Sequence, residues 1–431
     1  MYNIVELFSG IGSQAKALKN IGLEIATAGT CEWDVHALVA YDAIHNSPDL
    51  PFEVLKLKKE DLLEKLKVYT LSNNGKNAME FSMLKTYSVD ALRRIYAAII
   101  RSKNFVDVSA LTGDKLPDNI DILTYSFPCQ DLSNVGAFHG YNKGIDKGSG
   151  SRSSLLWQVG RILKEMKDNG KSLPRYLLME NVPTLLSKRH FENFTLWMDE
   201  LKELGYLNRH YLLNASDFGL PQNRPRLLMI SVFVGEDEDL NKKVSDYFKE
   251  KKTSDTIVAD YQKSPYYKQI NIADLYRIDY SNEKLFEEAV ACTPNDTASR
   301  RDIWEDNPQL VLEGNIVNPA YSVVRTITTK QDRHPNSGNL YFDSKIEGKS
   351  KFRYLTPREC FLFMGFTDDD YENVVKNNPE VHLHNKLFTR DKVIRMAGNS
   401  IPVKLLEGIF LQIKQLDQLL DNDGCTQQRN A

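Results

Sequence analysis

The first fifty residues constrain the fold more than any other part of the chain. Residues 4–8, Ile-Val-Glu-Leu-Phe, form an apolar run of strand length, 9–13 (Ser-Gly-Ile-Gly-Ser) supply the small residues of a tight turn, and 14–20 alternate apolar and polar residues as a helix does. A second strand over 24–28 ends close to Cys31, Glu32, Trp33 and Asp34, and a helix follows over 35–45. Strand, glycine turn, helix and second strand are the opening of a doubly wound α/β fold. In such folds an acidic residue about twenty positions after the turn holds the ribose hydroxyls of a nucleotide-type cofactor. Glu32 stands there, and Trp33 offers an aromatic face for a base, although a solvated acid beside a core tryptophan would read the same. The turn lacks the third glycine of a dinucleotide fingerprint and the Gly-Lys-Ser/Thr that grips a triphosphate, which counts against a kinase or NTPase.

The β/α rhythm pauses over 51–104, a lysine- and leucine-rich stretch of helical periodicity broken near Ser72-Asn73-Asn74-Gly75, as in an inserted helical hairpin. It resumes with a strand at 120–125, a loop over 126–153, a helix at 155–167, a strand at 176–179, a helix at 191–204 and strands at 211–213 and 226–233. These build a mostly parallel sheet with helices on both faces, so 1–233 is expected to be one α/β domain. From 234 to 352 the sequence is charged, tyrosine-rich and weakly periodic, which predicts a smaller domain of short strands and loops. Helical pattern returns over 353–420, and 421–431 is a polar tail.

Composition narrows the class. At 431 residues, 42% hydrophobic and 26% charged, the chain can bury one large core and a second, smaller one. A net charge of -3 is not the basic excess of a protein that coats nucleic acid by charge alone, so binding DNA would need a local basic face. Arg93-Arg94, Arg224 with Arg226, and Arg300-Arg301 are candidates, and each is as readily a solvated surface. The five cysteines form no CxxC pair, which excludes a disulfide framework and a zinc site and leaves a single thiol as the only cysteine chemistry. The amino terminus runs straight into a strand without a basic or long apolar segment, which predicts a cytoplasmic protein.

Three segments carry chemistry-bearing residues at strand ends, where open α/β sheets bind ligands. Ser126-Phe127-Pro128-Cys129-Gln130 presents Cys129 directly after a strand, as a nucleophile or as a small apolar filler in a turn. Glu180 ends the next strand and can hold or pass a proton, or cap a helix. Gln222-Asn223-Arg224-Pro225-Arg226 places two guanidinium groups beside another strand, suited to a base edge, a carboxylate or a phosphate, or lying in an exposed turn.

Taken in order, FSGIG at 8–12, EW at 32–33, SFPCQDLS at 126–133, ENV at 180–182, QNRPR at 222–226 and GNS at 398–400 resemble the blocks of bacterial DNA cytosine-5 methyltransferases. TYSFPCQDLS, GSGSRSSLLW and YLLMENV look especially like the CpG-specific type II members. The match covers both ends of the chain and omits mainly the 51–104 insertion and the region from 234 to 350. The resemblance implies a Rossmann-like S-adenosylmethionine-dependent methyltransferase domain that methylates C5 of a cytosine flipped out of duplex DNA, without a metal. It implies that Cys129 attacks C6 as thiolate, Glu180 holds N3 and the exocyclic amine, Arg226 anchors the base and Arg224 supports its loop. By the same carry-over Phe8, Gly10, Ile11 and Gly12 line the cofactor cleft, Glu32 binds the ribose and Trp33 stacks near adenine. Asp107 contacts the adenine amine, Leu155 packs on the methionine moiety, and Asn399 and Ser400 close the site. Gln130 and Ser133 lie on the loop that closes over DNA, with Gln130 filling the space the extruded base leaves.

The 234–352 region corresponds to the family's target-recognition domain, with Arg325 and Thr326 as DNA contacts and Ile327 in place of the leucine of a Thr-Leu pair. It does not align with the CpG-specific members, so the resemblance carries no recognition sequence. The implied partner is duplex DNA, for a monomeric enzyme that is either an orphan methylase or half of a restriction-modification pair; in the second case a restriction endonuclease acts on the same site without a stable complex. Other readings are a tRNA methyltransferase of this fold, which shares the Pro-Cys loop and Glu-Asn-Val block but has a shorter variable region, and a catalytically silent DNA-binding relative. The latter would have lost Cys129 or Glu180, and both are present. A small-molecule methyltransferase would have the glycine loop without the rest.

Overall fold

The central strands are apolar on alternate residues toward both sides, and this decides the architecture: Ile4, Leu178 and Ile230 join one core while Val5, Leu123 and Met179 join another across the sheet. The computed structural model describes residues 1–128, 152–331 and 337–421. Strands β1 (Tyr2–Leu7), β2 (Ile25–Cys31), β3 (Ile122–Tyr125), β4 (Tyr176–Asn181), β5 (Tyr206–Asn214) and, after the two-residue β6 (Gln222–Asn223), β7 (Pro225–Phe233) build the main sheet. Its order is β2-β1-β3-β4-β7-β5, parallel from β2 to β4, with β7 antiparallel to both of its neighbours. Helices Ser13–Asn20, Val35–His45 and Val403–Asp421 cover one face, and Leu156–Asp168 and Phe191–Glu203 the other. The strand expected at 211–213 begins earlier, at Tyr206, because full antiparallel pairing with β7 satisfies the backbone of Asn208, Arg209 and His210, whose polar side chains hide the strand in the sequence.

The 51–104 insertion holds four helices (Phe52–Leu55, Lys59–Leu66, Phe81–Thr86 and Val89–Arg101), more than a hairpin needs. Leu62, Leu66, Leu84, Leu92 and Ile95 bury it in the same core as the Val35–His45 helix. The 234–352 region departs further from expectation, because its first part is helical. Helices Glu238–Glu250 and Ser254–Gln262 lay Val244, Tyr247, Ile257 and Tyr261 into the core of the main sheet. The Tyr247 hydroxyl donates to Gln412 (2.8 Å), and that of Tyr261 donates to Glu407. Charged residues between these few anchors dilute the helical period. Two more helices follow, Glu283–Ala291 and Ala298–Asp306. The short strands appear only after them: β8 (Gln309–Leu312), β9 (Ile316–Val317), β10 (Val324–Arg325), β11 (Asn339–Tyr341) and β12 (Phe352–Arg353). Four of these form a sheet of order β12-β11-β8-β9, whereas β10 pairs in parallel with β6.

The chain re-enters the main domain through a buried ion pair. Arg353 grips Glu359 with two parallel bonds of 2.8 Å, both side chains having no exposure, and Glu359 also accepts from the backbone of Thr356 and Arg277 (2.8 Å each). Removing one partner leaves the other charge buried and uncompensated, so Arg353→Met is expected to lower stability by about 3–5 kcal/mol in urea unfolding, and pairing it with Glu359→Gln should recover part of the loss.

Candidate active site

The chain leaves β1 for β2 on one side and reaches β3 on the other, so a crevice opens at the carboxyl end of β1. A cavity of about 430 Å³ occupies it, walled by the turn after β1, the ends of β2, β3 and β4, the start of β7 and residues 395–401. Phe8, Gly10, Ile11, Glu32, Trp33, Asp107, Leu155, Glu180, Arg224, Arg226, Asn399 and Ser400 all line it. Gly12, placed there by resemblance, does not. Its φ of +80° begins the first helix, its N–H donates to the Ser9 carbonyl (2.9 Å), and a Cβ on it would stand 2.2 Å from His45 Nε2. Gly12 is therefore required by close packing under the turn.

At one end of the cavity Glu32 is fixed by backbone donors, Gly10 N–H on Oε2 (3.1 Å) and Asp34 N–H on Oε1 (2.8 Å). Burial, reinforced by the nearby Asp34 charge, pushes its carboxyl up to about 7. Asn104 Oδ1 accepts from the N–H of Glu32 (3.2 Å) and of Val106 (2.6 Å). Val106 has a φ of +68°, unusual for a β-branched residue, and no sequence signal marked it.

At the other end, Ser126, Phe127 and Pro128 line the cavity after β3. Ser126 Oγ donates to the Phe8 carbonyl (3.3 Å), Asn181 Nδ2 to the Phe127 carbonyl (3.0 Å) and Ser153 Oγ to the Pro128 carbonyl (2.6 Å). Cys129, Gln130 and Ser133 lie outside the described residues. Glu180 pairs with Arg226, Nε to Oε1 at 2.9 Å. The register explains the meeting: Glu180 faces Leu228, and Arg226 stands two residues before Leu228 on the same side of β7. Burial raises the Glu180 carboxyl above its usual range, with the charges of Arg226 and Arg224 opposing only in part. Arg224 itself donates to the carbonyls of Ile327 (2.8 Å), Gly398 (2.7 Å) and Ser400 (3.0 Å), so it shapes the wall.

Arg325 and Thr326 are outside the cavity: Arg325 is exposed on β10, and Thr326 Oγ donates to the Asn223 carbonyl (2.7 Å). Lining residues that the sequence did not single out include Gln14, Asp34, Gly75, Asn181 and Arg395. Among the described residues no group of His, Cys, Asp or Glu could hold a metal ion, and no helix is long and apolar enough to cross a membrane.

A doubly wound sheet whose strand ends gather a buried carboxylate, an aromatic side chain and a Glu–Arg pair around one cavity is a Rossmann-like fold with its ligand crevice at the switch point. The profile of the C-5 cytosine-specific DNA methylases matches residues 80–415. The chain is 35% identical over 414 residues to the orphan methyltransferase M.SssI of Spiroplasma monobiae, covering 95% of this chain and 96% of that one. It is 29% identical over 417 residues to the type II methyltransferase M2.ScrFI of Lactococcus lactis subsp. cremoris, covering 96% and 99%. Among solved structures, the S. pombe Dnmt2 methyltransferase superposes with a TM-score of 0.55 over 97% of this chain and 100% of that one, at 16% identity, a likeness of fold. This chain belongs to the C-5 cytosine-specific DNA methylases, and its substrate is DNA.

Gly12→Ala combines a left-handed backbone with the overlap on His45, and is expected to cost more than about 2 kcal/mol in thermal unfolding. Gly10→Ala, whose Cβ would meet nothing within 4 Å, should lose only the backbone part, about 1–2 kcal/mol.

Proposed function

We propose that Cys129 is the nucleophile, Glu180 the proton donor to the base and Arg226 its anchor, acting on a cytosine turned out of duplex DNA with S-adenosylmethionine as methyl donor. One observation carries the reading: the Glu180–Arg226 pair shares a single cavity with Glu32, Trp33 and Pro128, the residue that precedes Cys129 in the chain.

The residues suit that donor. A carboxylate offers about four acceptor positions, and the Gly10 and Asp34 N–H groups engage one oxygen of Glu32 each, so either oxygen keeps a lone pair that can face a ribose diol. Trp33 supplies a face for adenine, Asp107 an acceptor for its amine, and Phe8, Ile11 and Leu155 an apolar wall for the methionine chain, with Gly10, Asn399 and Ser400 completing the enclosure. When bound, S-adenosylmethionine supplies a methyl group activated by its sulfonium centre. Cys129 as thiolate forms a bond to C6, and the displaced π electrons are drawn toward N3 as it takes the Glu180 proton. A raised carboxyl fits that task, and Arg226 stabilises the carboxylate left behind. C5 then bonds the methyl carbon as that carbon's bond to the sulfonium sulfur breaks and the electron pair leaves with the neutral thioether; N3 returns its proton to Glu180, the C5 proton leaves to a base or water, and departure of the Cys129 thiolate restores the aromatic ring. The carbon nucleophile arises by thiolate addition, so the chemistry calls for no metal.

We propose further that Gln130 and Ser133 act on the loop that closes over DNA, and that 234–352 reads the target sequence with Arg325 and Thr326 among its contacts. Residues 353–420 complete the catalytic domain. The enzyme works in the cytoplasm as a monomer, either as an orphan methylase or beside a restriction endonuclease of the same specificity with which it forms no stable complex.

A duplex whose target cytosines carry fluorine at C5 has no C5 proton to lose, so the wild-type chain should remain covalently attached through denaturing electrophoresis. Cys129→Ser should not, and an equal adduct in both would remove Cys129 from the mechanism. Glu180→Gln keeps the shape but not the proton, and should lower kcat about 10²–10⁴-fold in tritium-transfer assays. Binding of S-adenosylhomocysteine favours ionised Glu32, whose free carboxyl titrates at about 7, so proton release must accompany binding below that pH. Calorimetric affinity should be flat above pH 7.5 and fall by up to about tenfold per unit below 7, a slope absent in Glu32→Gln.

A further inference from the structure

The 51–104 insertion reaches the cavity at one place, the Ser72-Asn73-Asn74-Gly75 break between its helices. There it runs beside the end of β2: Ser72 N–H donates to the Trp33 carbonyl (2.8 Å), and Val35 N–H to the Ser72 carbonyl (2.9 Å). Asn74 Oδ1 accepts from the N–H groups of Lys76 (2.8 Å) and Asn77 (3.0 Å), so the loop is internally braced. Gly75 lines the cavity with a φ of +67°, and a Cβ on it would stand 3.2 Å from Asp34 Oδ2.

The helix Arg390–Asn399 approaches the same point from the other side. Arg395 donates through Nη1 to the Asn74 carbonyl (2.7 Å) and through Nη2 to Asp34 Oδ2 (2.6 Å), while Lys392 Nζ reaches the Asn73 carbonyl (2.7 Å). Asp34 in turn donates its N–H to Glu32 Oε1 (2.8 Å) and accepts from His36 on its other oxygen. Arg395 lies one helical turn before Asn399, so its guanidinium ties the insertion loop and Asp34, whose N–H in turn holds Glu32, to the helix that carries the closing residue.

We infer that Arg395 is a positioning residue for the methyl donor, clamping Asp34 and the insertion loop at Asn74–Gly75 into one wall of the cofactor cavity, so that the insertion sets cofactor affinity. The inference rests on the cofactor reading of the cavity proposed above. The insertion thus acts as a cofactor-side clamp, distinct from base recognition at Glu180 and Arg226.

The test uses the full chain and four substitutions: Arg395→Met, Arg395→Lys, Asp34→Asn and Gly75→Ala. Calorimetry with S-adenosylhomocysteine and steady-state methylation of unmethylated plasmid give Kd, KM and kcat, and a gel shift without cofactor gives DNA affinity. Arg395→Met should raise Kd and the S-adenosylmethionine KM about tenfold and lower the melting temperature, because buried Asp34 loses its cation, with kcat and DNA affinity nearly unchanged. Arg395→Lys should recover part of the loss, and Gly75→Ala should weaken the same two constants. Arg395→Met combined with Gly75→Ala should be less than multiplicative, because both act on one contact. If Arg395→Met does not fold, Gly75→Ala decides, and an unchanged Kd there overturns the inference. Equal losses of kcat and DNA affinity would also overturn it, by making the clamp merely structural. A wild-type chain that binds no S-adenosylhomocysteine overturns the cofactor reading itself, whereas tight binding that no variant weakens overturns this inference alone.

Discussion

One buried guanidinium holds together stretches of chain that are far apart in sequence. Arg224, 2% exposed, directs its Nη1 and Nη2 donors to carbonyls of Ile327, Gly398 and Ser400, which belong to the segment after β10 within the 234–352 region and to the closing loop of the cavity. A charge at such depth is tolerable only when its hydrogens are used, and backbone carbonyls are acceptors that no side-chain substitution can remove. The junction is tight enough that a Cβ on Gly398 would come within 2.7 Å of the Thr328 backbone. Gln222 strengthens it, its side chain bonding the Ile327 N–H (3.1 Å) and the Phe363 carbonyl (2.8 Å). The Gln-Asn-Arg-Pro-Arg block is thus a joint on which the variable region, the closing residues and Arg226, the partner of Glu180, are all mounted.

The two carboxylates of the cavity are both raised by burial, yet their neighbours differ. Glu32 is held by two backbone N–H groups and faces Asp34, so its shape is fixed while its charge is only half supported. Glu180 has a guanidinium at 2.9 Å and stands near the carboxyl end of the fully buried strand β4. Separating two acids by environment rather than by residue type is how one cavity can bind at one end and move protons at the other.

Much of this was legible in the sequence because strand ends are. The helix at 35–45, the turn before it and the carboxylates at 32 and 180 follow from hydrophobic period and position, and the structure brings both acids into one cavity. Arg395 was not legible, since nothing in its helix distinguishes it and its partners Asp34 and Asn74 lie 361 and 321 residues away. Val106 is hidden for a different reason: its backbone is held left-handed by Asn104, a local contact that no period reports. The helices over 238–262 were missed because each buries only a few residues against the sheet, leaving charge to dominate the composition. Gly12 was placed correctly in the turn and wrongly at the cavity, since a glycine needed for close packing and one needed for a ligand look alike in one sequence.

The helix Val403–Asp421 packs across the first helix of the chain, and its Asp417 receives the hydroxyl of Tyr2 at 2.6 Å and the guanidinium of Arg175 at 2.6 Å. The first strand therefore waits for contacts supplied some four hundred residues later. During synthesis the glycine turn leaves the ribosome long before anything can cover its outer face, and the emerging domain must persist with that flank bare. An arrested translation product ending before Asn399 would carry every strand of the main sheet and still have a pocket with one side missing. Competence to modify DNA thus waits on the segment around Asn399, which follows every strand of the main sheet, a dependence that arises from chain order alone.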